Sequence, residues 1–120
     1  MNQAQLEKAL HDLPSSSLIT EIPEIQNAIA HLLKSNQEMR EFDPESKDSE
    51  LVQAIQENKD LIMRKEKQVD LTLQVIRERL GEAAWREMGS NVKEFRELYA
   101  EQLKAERNVQ KDAEENGVFL

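Results

Sequence analysis

The sequence predicts an all-α protein, an antiparallel helical hairpin of coiled-coil type with a short N-terminal helix and a C-terminal third helix. Three observations predict it. Leu18, Ile22, Ile25, Ile29, Leu32, Asn36 and Met39 form one ladder, and Ile55, Asn58, Ile62, Lys65, Val69, Thr72 and Ile76 form another, with Leu51 offset at its start. Both step by alternating threes and fours, the spacing that keeps side chains on one seam of a helix. Between them lies Phe42-Asp43-Pro44-Glu45-Ser46-Lys47-Asp48, a cluster of turn-forming residues. Gly and Pro number three each while charged residues make up 33% of the chain, a composition of long exposed helices.

The elements follow in order. Residues 1–14 hold a short helix with Leu6, Leu10 and Leu13 on one side, broken at Pro14. Ser15-Ser16-Ser17 offers caps, and Pro23 belongs near a helix start, where a missing N–H costs little. The first long helix therefore begins between Ser17 and Ile22 and ends near Glu41, before Asp43-Pro44. Ser46 or Asp48 caps the second, which runs to about Leu80. The hairpin occupies residues 15–81, with its turn near 42–48.

Folding the chain back at that turn sets Met39 against Ile55, Leu32 against Ile62, Ile25 against Val69, Ile22 against Thr72 and Leu18 against Ile76. The same register sets Asn36 against Asn58. A buried Asn in such a seam lowers stability and fixes alignment. Leucine at both positions is accordingly expected to add stability and loosen the register. Lys65 falls opposite Ile29, where its aliphatic stem covers the seam and its ammonium reaches water.

Gly81 and Gly89-Ser90 then weaken the helix. A third apolar series, Trp85, Met88, Val92, Phe95, Tyr99 and Leu103, places another helix in residues 82–115. It either extends the second long helix or folds back on the hairpin. Trp85, Phe95 and Tyr99 are candidates for a partner-binding face, because aromatic anchors dominate interface energetics, and equally for intramolecular packing. From Glu106 onward the stripe fades, and that part is expected to be exposed. Residues 116–120 close as a flexible hydrophobic tip, in which Phe119 and Leu120 are candidates for docking into a partner's pocket.

Chemistry is hard to find. The net charge of −8, from 16 basic and 24 acidic side chains, argues against binding a phosphate backbone. Cysteine is absent, which removes disulfides and thiolate metal sites. His11 and His31 have no neighbouring ligands at metal-binding spacing. No nucleophile elbow or phosphate loop is present. The N-terminus lacks a secretory signal, and no apolar run is long enough to span a membrane. No catalytic, cofactor or metal site is expected, and the chain does not read as an enzyme. A cytoplasmic location, extending to the nucleus, fits these features.

The block Ile25-Gln26-Asn27-Ala28-Ile29-Ala30-His31-Leu32-Leu33-Lys34-Ser35-Asn36 is more specific than periodicity requires. Together with Ile55-Gln56-Glu57-Asn58 and the Val118-Phe119-Leu120 ending, it resembles a small fungal family. That family comprises the ATPase-dedicated assembly chaperones of the proteasome regulatory particle, also catalogued as translation-machinery-associated. The resemblance covers roughly residues 5–80 and the last few. It implies a non-enzymatic hairpin that binds the N-terminal coiled-coil region of a proteasomal AAA ATPase subunit and assists assembly of the 19S base. A weak ribosome association comes with the resemblance. The turn is shorter than the acidic insert associated with the family, and the Trp85 region has no counterpart in it. Two other classes use such a hairpin: a prefoldin- or tubulin-cofactor-like chaperone, and a homo-oligomeric coiled-coil scaffold. The oligomeric state is left open by the sequence.

Overall fold

A computed structural model describes residues 2–107. They form five helices and no strand: α1 (Gln3–Asp12), α2 (Ser15–Phe42), α3 (Ser49–Leu80), α4 (Glu82–Leu98) and α5 (Ala100–Ala105). The expected all-α class is the observed one.

Helix α1 starts with a capping box. The Asn2 side chain accepts from Gln5 N at 2.8 Å while Asn2 N donates to Gln5 Oε1 at 3.0 Å. Its other end is closed from a distance: Arg79 Nη1 donates to the Leu13 carbonyl at 2.6 Å and the Leu10 carbonyl at 3.3 Å. Helix α2 begins at Ser15, earlier than the sequence suggested, and no side chain caps it. Pro23 consequently lies inside the helix, where it is exposed. A proline there removes one helical donor. Ile22 and Ile25 are buried on either side of it, and this burial holds the helix through the interruption.

Asp43 organises the turn, its carboxylate accepting from Lys47 N at 3.0 Å and Asp48 N at 2.9 Å. Asp48 then caps α3 through Glu50 N and Leu51 N. The most extensive helix pairing is α2 with α3. Leu18, Ile22, Ile25, Ile29, Ile62, Val69 and Ile76 are all buried in the core. Each such side chain is worth roughly 1.5–3 kcal/mol when fully buried. Three apolar ladder positions differ from the sequence reading: Leu32, Met39 and Ile55 are only partly buried, and Leu33 is buried beside Leu32. The cause of the Leu33 burial lies in what comes next along the chain.

Gly81 ends α3 with φ 94° and ψ 180°, a conformation open essentially to glycine alone. The chain reverses there, and α4 packs mainly on α3 and secondarily on α2. This settles whether the third helix extends the second. The longest dimension is 48 Å, about what the 32 residues of α3 span at 1.5 Å each. Met88 and Val92 enter the core, and Phe95, Tyr99 and Leu103 pack against it. A break at Tyr99 separates α4 from α5, where the sequence suggested one continuous helix. Leu33 is covered because Tyr99, Gln102 and Glu106 lie beside it.

Candidate partner-binding surface

The polar cluster in the hairpin seam is the most specific feature. Asn36 is fully buried, and its Oδ1 accepts from Asn58 Nδ2 at 3.0 Å. Its own amide donates to the Ile55 carbonyl at 3.3 Å and to Glu106 Oε2 at 2.7 Å. Glu106 is 3% exposed and also pairs with Arg40: Nη2 lies 3.0 Å from Oε2, and Nη1 bonds Oε1. The hydrogen bond to Glu106 raises the Arg40 pKa; burial opposes it, and the carboxylate's charge adds to the rise. The expectation that Glu106 is exposed is thus corrected. A carboxylate this deep needs a paired cation and filled hydrogen bonds, and Arg40 and Asn36 supply them.

Two half-buried stripes flank the seam. On α2 they are Ala28, Leu32, Ser35 and Met39; on α3 they are Ala54, Asn58, Leu61 and Lys65. Glu21 and Gln68 continue the same two stripes and hydrogen-bond each other at 3.3 Å, which puts both stripes on one side of the hairpin. Helix α1 lies over the Glu21–Gln68 end, its leucines facing Arg64, Gln68 and Leu71. Beyond it the stripes form a half-buried shelf toward the turn, apolar apart from Ser35, Asn58 and Lys65. Sequence periodicity assigned Leu32, Met39, Asn58 and Lys65 to the seam, whereas the structure leaves them half-buried at its edge beside Ala28, Ser35, Ala54 and Leu61.

The opposite side of the hairpin carries α4 and α5. Arg96 joins α4 to α3 through Glu66 at 3.1 Å and Asp70 at 2.9 Å. Burial raises the Glu66 pKa; the Arg96 charge and hydrogen bond oppose the rise, and Asp70 adds to it. Trp85 stands at the α3–α4 turn with the Arg77 guanidinium 4.5 Å above its ring. Arg77 also pairs with Glu82 at 2.8 Å. Phe95 and Tyr99 stack with ring centroids 4.7 Å apart, half-buried against the core. The structure thus brings Asn36 and Asn58 together in the seam and puts Trp85, Phe95 and Tyr99 on the third layer. Phe119 and Leu120 lie outside the described residues.

Among the described residues, four large apolar side chains are exposed: Ile19 at 43%, Phe42 at 81%, Val52 at 43% and Leu98 at 74%. His11 Nε2 sits 3.2 Å from Glu78, and His31 is exposed. Among the described residues no three His, Cys, Asp or Glu side chains converge to hold a metal ion, and no helix is long and apolar enough to cross a membrane.

The described residues thus form an all-α module, a helical hairpin with a buried polar cluster in its seam and a third helical layer on one side. Residues 2–83 match the family model of the TMA17 helical domain, which takes in α1, α2 and α3. The chain belongs to this family, that of the ATPase-dedicated proteasome assembly chaperones. No curated protein and no solved structure matches the chain.

Proposed function

We infer that the protein is a non-enzymatic chaperone that binds a proteasomal AAA ATPase subunit during assembly of the 19S base. Family membership supports the proteasomal setting. The observation that carries the mode of binding is the shelf of Ala28, Leu32, Ser35 and Met39 beside Ala54, Asn58, Leu61 and Lys65. Two rows of mostly small or apolar side chains with helical spacing match an amphipathic helix laid along them. In this reading the client is a helix of the ATPase's N-terminal coiled-coil region, and the shelf covers its apolar stripe until the proper partner subunit replaces it. Asn36 and Asn58 set the register that keeps the two rows level. Trp85, Phe95 and Tyr99 stiffen the hairpin from its other side.

The test is recovery of base ATPase subunits on the tagged protein from its native cells. Leu32→Glu with Leu61→Glu places two charges on the shelf at half-exposed positions. This pair is expected to abolish recovery, while Leu98→Glu, on the exposed side of α4, leaves it intact. Equal recovery by both variants overturns the shelf. Absence of ATPases from the unaltered protein overturns the function.

A further inference from the structure

Glu106 is the most deeply buried ionisable side chain among the described residues, and it comes from one of the least anchored elements. Helix α5 has six residues, is set off from α4 at Tyr99 with backbone bonds bridging the break, and closes where Glu106 N donates to the Gln102 and Leu103 carbonyls. A helix this short has little stability of its own. It stays on the hairpin through Leu103 and the Glu106 cluster. Between it and α2 runs an open groove of about 490 Å³ lined by Leu33, Gln37, Arg40, Gln102 and Glu106, among others. The α5 wall of that groove falls outside residues 2–83, whereas the α2 wall falls within them.

We propose that the Leu33–Asn36–Arg40 face is a second docking surface, held shut by α5, for a partner helix with an acidic residue aimed at Arg40 and Asn36. The occupant now in place specifies the chemistry. Tyr99, Leu103 and Glu106 follow one another by four and then three residues, so they share one helix face. The partner accordingly presents an aromatic or aliphatic residue, a second apolar residue one turn on, and a carboxylate one turn further. Charge complementarity requires the acid. Arg40 and Asn36 give the resident carboxylate a two-pronged ion pair and a buried amide donor, and once α5 lifts, an unfilled cluster is costly. An outside carboxylate removes that cost, so the arm and the partner compete for one place.

The probe is a helix-stapled, fluorescent peptide copying residues 95–107, titrated into the full chain. Wild type is expected to bind it weakly, because the tethered copy holds the site at high effective concentration. Glu106→Ala in the protein is expected to tighten binding at least tenfold. The same change in the peptide is expected to cancel that gain. Glu106→Gln serves as the milder variant should Glu106→Ala disturb the fold, with the same order of affinities. A closed form is made with Gln37→Cys and Gln102→Cys joined by a reducible bis-maleimide, since the chain has no other cysteine. It is expected to refuse the peptide until reduced. Equal binding by wild type, the Glu106 variants and the closed form overturns the proposal, as does binding by none of them. A concentration-dependent dimer that the crosslink prevents would mean that a second copy's arm is the occupant, and this too overturns it.

Discussion

Asn58 donates its side-chain amide to Asn36 Oδ1 at 3.0 Å across the hairpin, and Asn36 passes the bond on to Glu106 at 2.7 Å. One fully buried asparagine therefore joins three helical segments. This changes what substitution at the pair should do.

From the pair alone, leucine at both positions would stabilise the hairpin. With Glu106 bonded to Asn36, the double change instead leaves a buried carboxylate facing leucine with only Arg40 beside it. Asn36→Leu is expected to cost about 2–3 kcal/mol and Asn58→Leu about 1 kcal/mol. Their double variant should stay below wild type. Adding Glu106→Leu should then restore stability, because it removes the buried carboxylate that has lost its Asn36 donor. Urea unfolding of wild type and the four variants measures the series, and a double variant more stable than wild type would contradict it.

Gly81 carries φ 94°, yet no atom lies within 4 Å of where a Cβ would stand. Gly81→Ala therefore isolates backbone strain from crowding. The expected loss is about 1–3 kcal/mol, read as a lower urea midpoint. An unchanged midpoint would mean that the α3–α4 turn accepts another conformation.

Gln26 Nε2 is buried without a hydrogen-bond partner among the described residues. An unmet buried donor costs free energy that an apolar side chain of similar size does not. Gln26→Leu is expected to stabilise the fold by about 1 kcal/mol, seen as a higher melting temperature. A loss of stability would show that the amide does find a partner.

Glu66 gives the fold a pH dependence of defined sign. Burial raises its pKa above the ordinary 4.5, so near and above that value the folded state holds more of this proton than the unfolded state. Its contribution is then most favourable below pH 4.5 and declines as pH rises through the folded value. Glu66→Gln should remove this slope. Relative to wild type, the variant should gain stability as pH rises, by urea unfolding at a series of pH values. A difference that runs the other way would mean Arg96 outweighs burial.

The hairpin was legible because its ladders repeat with one period and a turn cluster separates them. All-α class and the meeting of Asn36 with Asn58 both follow from that repetition. The exchange of Leu33 for Leu32 was not legible, since it depends on α5 lying against α2. Glu106 was illegible for a stronger reason: it stands in a charged run, and its partners Asn36 and Arg40 are 70 and 66 residues away. The early start of α2 was hidden by Pro23, whose local cost is overridden by the burial of Ile22 and Ile25. Half of the shelf (Leu32, Met39, Asn58 and Lys65) was read as seam, because periodicity alone does not separate a buried from a half-buried position.

The most direct test of the account is site-specific photo-crosslinking between the purified protein and base ATPase subunits. A photoreactive residue at Leu61, on the shelf, is predicted to capture an ATPase helix, and one at Leu98 is predicted to capture nothing. Capture from Leu98 with none from Leu61 would contradict the shelf as the binding surface.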